Sequence, residues 1–221
     1  MCIRDREYRV LEKIKNSIPV CYLADHADFA LGIVTGNNKK FLSAEKTENS
    51  EMVLKGTDIC KYHINPVKQY LRFEPEQFQQ VAPLEIYRAP EKLLYRFISN
   101  QLVVAYDDRQ MLSLNSCNIV IPKIDGMQIK YILAILNSSV SQFVYQKEFH
   151  SIKVLRAHME HIPIPRVGKA IQNEIIAMTE PLICGMGKEA AETCQKRLDC
   201  RIMDLFRLSA EEQWIIRHAL H

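Results

Sequence analysis

Two wholly apolar strands followed by one strongly amphipathic helix, all within residues 101–146, constrain this chain more than any other feature. The runs QLVVAY (101–106) and CNIVIP (117–122) lack the polar alternation of a half-exposed strand, which is the pattern of the centre of a sheet. The polar stretch DDRQMLSLNS between them is expected as a loop exposed at the sheet's rim. Ile129, Ile132, Leu133, Leu136, Val140, Phe143 and Val144 then recur at spacings of three and four. That period predicts one helix over 128–146 whose apolar stripe packs on the sheet.

Weaker signals flank this centre. Val10, Leu11 and Ile14 share one side of a short helix within 7–17, which Pro19 ends. DFALGIVTG (28–36) reads as a strand feeding a tight turn. Met52-Val53-Leu54, Gly56, Ile59 and Tyr62 suggest a strand, a turn and a short strand, and KQYLRF (68–73) a further strand. Pro90 suits the first position of a helix, PEKLLYRFI, with Leu93, Leu94, Phe97 and Ile98 on its buried side. Beyond the extended exit at Pro163 and Pro165, Ile171, Ile175, Met178 and Leu182 form one helical stripe. Gly185 and Gly187 interrupt it, and Ala191, Cys194, Leu198, Ile202 and Leu205 form a longer one. Ser209 and Glu212 have the spacing of a capping box for a final helix around Trp214–Leu220. The expected fold is α+β: a mixed β-sheet domain with packed helices, then a helical tail. Its segments are 1–21 (a linking helix), 22–165 and 166–221.

Charge and composition narrow the function. The formal net charge is +3, and the excess lies upstream of Lys169, which permits a basic face on the first part of the chain without requiring one. No apolar run reaches the roughly 20 residues of a membrane span. The seven cysteines are scattered and odd in number, which suits a reducing, cytoplasmic setting. There is no GxGxxG, no GxxxxGK[ST] and no CxxC pair. His150, His158 and His161 read as surface histidines in a basic stretch, so no metal site is expected. The adjacent acids Asp107 and Asp108 point to opposite faces of a strand, which does not suit a shared metal. As a self-contained enzyme the chain has little to show. The loop Thr35-Gly36-Asn37-Asn38-Lys39-Lys40 offers amide groups suited to base edges and lysines suited to phosphate. A hairpin turn with exposed lysines has the same composition. Arg88, Lys92 and Arg96 recur at intervals of four, which places Lys92 and Arg96 on one helix face.

Six segments, in order, resemble the TaqI-like C-terminal specificity domain, the target-recognition domain at the end of many adenine-specific DNA methyltransferases and fused restriction–modification enzymes. They are ADFALGIVTGNNKKFL (27–42), VLKGTDICKY (53–62), RAPEKLLYRFISNQLVVAYDD (88–108), LNSCNIVIP (114–122), IKYILAILNSSVSQFVY (129–145) and KVLRAHMEHIPIP (153–165). The resemblance covers roughly 22–165. The basic residue usual after the glycine of the second segment is Thr57 here, and the Asn/Asp-Pro-Pro-Tyr/Phe motif of the methyltransferase domain is absent.

The resemblance implies a module that reads DNA for a separate catalytic domain and is not itself catalytic. Phosphate contacts are then expected from Lys39, Lys40, Arg88, Lys92 and Lys153, with Lys61 and Arg96 as further basic groups, and base contacts from Asn37, Asn38, Tyr62, Asp107 and Asn118. The partners implied are double-stranded DNA and a methyltransferase domain or subunit, with S-adenosylmethionine held by the catalytic part and no membrane. MCIRDR (1–6) reads like a translated sequencing adapter, which suggests a truncated longer reading frame with 7–17 as the remains of a linker. The alternatives are a stand-alone specificity subunit that docks through its helical tail, and an interaction protein unrelated to DNA.

Overall fold

The structure, a computed structural model, describes residues 3–149 and 151–220. Met1, Cys2 and His150, named above, lie outside the described residues. In chain order the elements begin with α1 (Ile3–Asn16), β1 (Val20–Cys21), β2 (Ala27–Ala30), α2 (Asn38–Phe41), β3 (Leu42–Ser43), β4 (Ser50–Leu54), β5 (Tyr70–Arg72) and α3 (Leu84–Tyr87). The centre holds β6 (Lys92–Arg96), β7 (Val104–Asp107), β8 (Leu112–Ser113), β9 (Cys117–Pro122), α4 (Ile129–Asn137) and α5 (Ser139–Glu148). After them come α6 (Arg156–Glu160), β10 (Ile164–Pro165), α7 (Lys169–Ile183), α8 (Lys188–Leu205) and α9 (Ala210–Ala219).

The central sheet runs β2-β9-β6-β7, antiparallel throughout. Its strands are apolar on both sides because both sides are covered. Leu93, Tyr95, Val104, Tyr106 and Val120 face a core shared with α1, α4, α5 and the three C-terminal helices. The alternate residues Leu94, Ala105, Cys117 and Ile119 face a second core against the smaller sheet β3-β5-β4-β8. The layers are therefore helices, central sheet, small sheet. The first core runs across Pro165 without interruption, joining Ile175, Leu198, Ile202 and Phe206 of the tail to Ile132 and Phe143. β1 pairs with β10, and α1 packs on α5 and α9, so the start of the chain is fastened to its end.

Double burial also explains an element of wrong type. PEKLLYRFI is not a helix: Lys92–Arg96 is strand β6, paired with both β7 and β9. A strand buried on both faces is continuously apolar, and such a run satisfies a helical period by accident. Arg88, Lys92 and Arg96 consequently share no helix face.

The helix expected over 128–146 is two. Ser138, extended at ψ 159°, ends α4 and caps α5 by accepting from the Ser141 amide. The break frees Asn137, whose side chain clamps both backbone groups of Val104 on the edge strand β7, at 3.1 and 2.8 Å. Gln142 accepts from the Leu102 amide at 2.8 Å. Two helix amides thus blunt a sheet edge that would otherwise invite another strand. Asp199 of α8 caps the first turn of α5 through the Ser139 amide and hydroxyl, at 2.8 and 2.7 Å, which ties the tail to the sheet domain. The capping box at α9 is formed, with the Ser209 amide donating to Glu212 at 2.6 Å.

Candidate nucleic-acid interface

The small sheet turns its outer face to solvent. The register Ser50↔Arg72 and Met52↔Tyr70 sets those four residues on one side of β4 and β5, while Leu71 and Val53 point inward to the second core. Two hollows of about 280 Å³ each lie along this face and adjoin at Ser50 and Tyr70, as the two halves of a groove. Lys46, Arg88 and Arg109 line one half; Lys40 and Arg72 line the other. The carboxylates of the groove are already paired, Glu51 with Arg88 at 2.6 Å and Glu74 with Arg72 at 2.9 Å. Lys40, Lys46 and Arg109 make no ion pair among the described residues. The groove is therefore cationic, with Tyr70 as an aromatic surface at its middle.

Two of its cations are held by a buried clasp. Lys92 and Asp107 sit side by side on β6 and β7, both with no side-chain exposure, and their charged groups meet at 2.5 Å. The Lys92 ammonium also donates to the Tyr87 carbonyl at 2.7 Å, which fixes the end of α3 just before Arg88. Asp107 accepts from the Arg109 and Met111 amides, both at 2.9 Å, which fixes the loop that carries Arg109. Burial pulls the Lys92 pKa down, and the Asp107 carboxylate pulls it back. Arg88 is further held by donating to the Gln110 carbonyl at 2.8 Å.

The residues singled out from the sequence divide sharply. Lys39, Lys40 and Arg88 belong to this side of the molecule, with Lys39 and Lys40 on α2 and exposed. Asn37 and Asn38 are exposed, but their side chains serve the local turn: Asn37 accepts from the Lys40 amide at 3.2 Å, and Asn38 from the Thr35 hydroxyl at 2.6 Å. Lys92 and Asp107 are buried in the clasp and present nothing to a phosphate or a base. Arg96 points inward, donating to the Gly56 carbonyl at 2.9 Å and to the Ile59 carbonyl. Gly56 is glycine because an added Cβ would stand 2.5 Å from the Ser116 carbonyl oxygen. Asn118 is buried and accepts from the Gly32 amide. Tyr62 is buried, and Lys61 donates to the Asn137 carbonyl at 3.0 Å. Lys153 is exposed but pairs with Ile98, beyond the end of β6 opposite to Lys92. Lys39, Lys92 and Lys153 accordingly do not share one surface. The loop expected at the rim is only partly exposed, since Met111, Leu112, Ser113 and Leu114 are buried, with β8 pairing in parallel to β4.

Lys46, Tyr70, Arg72 and Arg109 were not singled out from the sequence. Tyr70 and Arg72 carried a signal, two residues apart in KQYLRF and hence on one strand face; Lys46 and Arg109 reach the groove through long-range loop placement.

The model of the TaqI-like C-terminal specificity domain matches residues 51–164. The chain belongs to this family. Among solved structures, the specificity domain aligns with a Type IIL restriction-modification enzyme, MmeI, in complex with DNA, at 10% identity and a TM-score of 0.61, over 89% of this chain and 35% of that one. It also aligns with the type IIG restriction endonuclease BpuSI at 12% identity and a TM-score of 0.56, over 97% of this chain and 32% of that one. At these identities the likeness is one of fold. The chain spans about a third of the length of either enzyme. No curated protein matches.

Proposed function

We propose that the chain is the DNA-reading module of an adenine-specific methyltransferase of a restriction–modification system, and that it grips a duplex along the groove of the small sheet. The observation that carries this reading is the pair of adjoining cationic hollows, which lie on the face turned away from the helical layer, within a member of a specificity-domain family. Lys40, Lys46 and Arg109 would hold phosphates, and Tyr70 would lie nearest the base edges. Methyl transfer belongs to a catalytic part outside this chain. We assign S-adenosylmethionine to that part as well.

Titration of labelled duplex by fluorescence anisotropy at several salt concentrations tests this. With three unpaired cations in the groove, log K is expected to fall against log salt with a slope of about −3. Lys46→Ala and Arg109→Ala should each reduce that slope by about one, while Lys153→Ala leaves it unchanged. Absence of duplex affinity at low salt, or an equal effect of Lys153→Ala, overturns the assignment.

A further inference from the structure

The half of the groove lined by Lys46, Arg88 and Arg109 holds its cations in two different ways. The Lys46 and Arg109 side chains make no ion pair among the described residues, so each is free to follow a phosphate. Arg88 is fixed. Its guanidinium donates to the Glu51 carboxylate at 2.6 Å through one terminal nitrogen and to the Gln110 carbonyl at 2.8 Å through the other. Its backbone is fixed as well: the Arg88 amide donates to the Leu84 carbonyl at 3.0 Å, and the Lys92 ammonium holds the Tyr87 carbonyl just before it.

The acceptor that Arg88 meets is itself held against a local cost. Gln110 sits at φ +57°, a left-handed conformation that side-chain-bearing residues seldom adopt. Asp107 accepts from the amides on either side of it, Arg109 and Met111, and so fixes the direction of the Gln110 carbonyl. Backbone conformations of this kind persist where the surroundings enforce them, and they gather at ligand sites.

The chemistry of the Arg88–Glu51 pair separates it from the free cations. Glu51 cancels the charge of Arg88, yet both side chains stay partly exposed and line the hollow. A neutralised pair gains little from a phosphate, and its carboxylate repels one. What the pair keeps is direction: the remaining N–H groups of a planar fork, set in place before a ligand arrives. Such a fork suits a base edge on which two acceptors must be met at once. Guanine presents that edge in the major groove as O6 and N7. Adenine sets a donor, its N6 amino group, beside N7, and arginine has no acceptor to offer it.

We propose that Arg88 reads a guanine in the major groove of the recognised duplex, with Glu51 as its positioning residue. The inference rests on the reading that this groove binds the duplex. Lys46 and Arg109, in the same hollow, then hold the neighbouring phosphates.

Selection of binding duplexes from a randomised pool, followed by anisotropy titration of the enriched sequence, tests it. One enriched guanine should be such that its replacement by adenine weakens binding at least about tenfold, or about 1.4 kcal/mol. 7-Deazaguanine at that position, which lacks the N7 acceptor, should also weaken binding. Arg88→Lys keeps the charge and loses the fork, so it should bind the guanine and adenine duplexes alike, with the salt slope and the preferences at other positions unchanged. Glu51→Gln releases the charge of Arg88 while loosening the fork, so the salt slope should steepen by about one as the preference for guanine falls. An ion pair that serves stability alone would leave the preference untouched in both variants. Full discrimination retained by Arg88→Lys, or indifference to 7-deazaguanine at every enriched guanine, overturns the assignment and leaves the groove standing. Absence of duplex affinity at low salt overturns both.

Discussion

Replacing Lys92 by methionine should destabilise the fold far more than replacing any lysine of the groove. The side chain is similar in length, so what is lost is charge and its hydrogen bonds. Asp107 would remain buried with no exposure, keeping the Arg109 and Met111 amides but losing the ammonium at 2.5 Å. Removing one partner of a buried ion pair costs about 3–5 kcal/mol. The two amides that remain on Asp107 place Lys92→Met near the lower end, about 3 kcal/mol. The Arg88–Glu51 pair provides the contrast: both side chains are a third or more exposed, at 33% and 40%, and Glu51→Gln should cost at most about 1 kcal/mol. Urea unfolding with linear extrapolation measures both. Lys92→Met with Asp107→Asn should cost less than the sum of the two single changes, because the double variant leaves no charge stranded. Under conditions where Lys92→Met is folded, its duplex affinity should also fall, since the clasp sets the loop of Arg109. A cost below about 1 kcal/mol for Lys92→Met, or strict additivity with Asp107→Asn, would refute the clasp.

Asn137→Ala should cost about 2–3 kcal/mol by stranding the buried Val104 amide, and hydrogen exchange at Val104 should accelerate more than at Leu93 in the middle of the sheet. His158 is packed on Phe149 at 4.3 Å and accepts from the Leu155 amide at 3.2 Å, so it is held neutral. Burial lowers its pKa, and the neighbouring His161 adds to this, against a contrary pull from the Lys153 backbone. Between that lowered value and about 6.5 the unfolded chain takes up a proton that the folded chain refuses. Stability should therefore fall as pH drops below about 6.5, and melting curves of His158→Asn should lose that part of the slope; identical slopes would exclude His158 as the cause.

Much of the fold was legible locally. The central strand CNIVIP, the tail helices interrupted at Gly185 and Gly187, and the Ser209–Glu212 cap all follow from short-range chemistry. The errors have a common origin in tertiary burial. Leu93 and Leu94 serve opposite cores, and nothing within KLLYR distinguishes that from a helix. Asn137-Ser138-Ser139 is a polar interruption of an apolar stripe, and its use as a break became visible only with Val104 and Asp199 beside it.

The same division holds for the site. The amino-acid sequence by itself determined the family, the α+β class and the presence of basic groups at Lys39, Lys40 and Arg88. Only the tertiary structure decided which charges face water. Lys92 and Lys46 are the same residue type, yet one meets a carboxylate 15 residues away with no exposure and the other lines an open groove. The physical reason is that the environment of a charge depends on strand pairing, and pairing joins residues whose separation along the chain carries no trace of their contact.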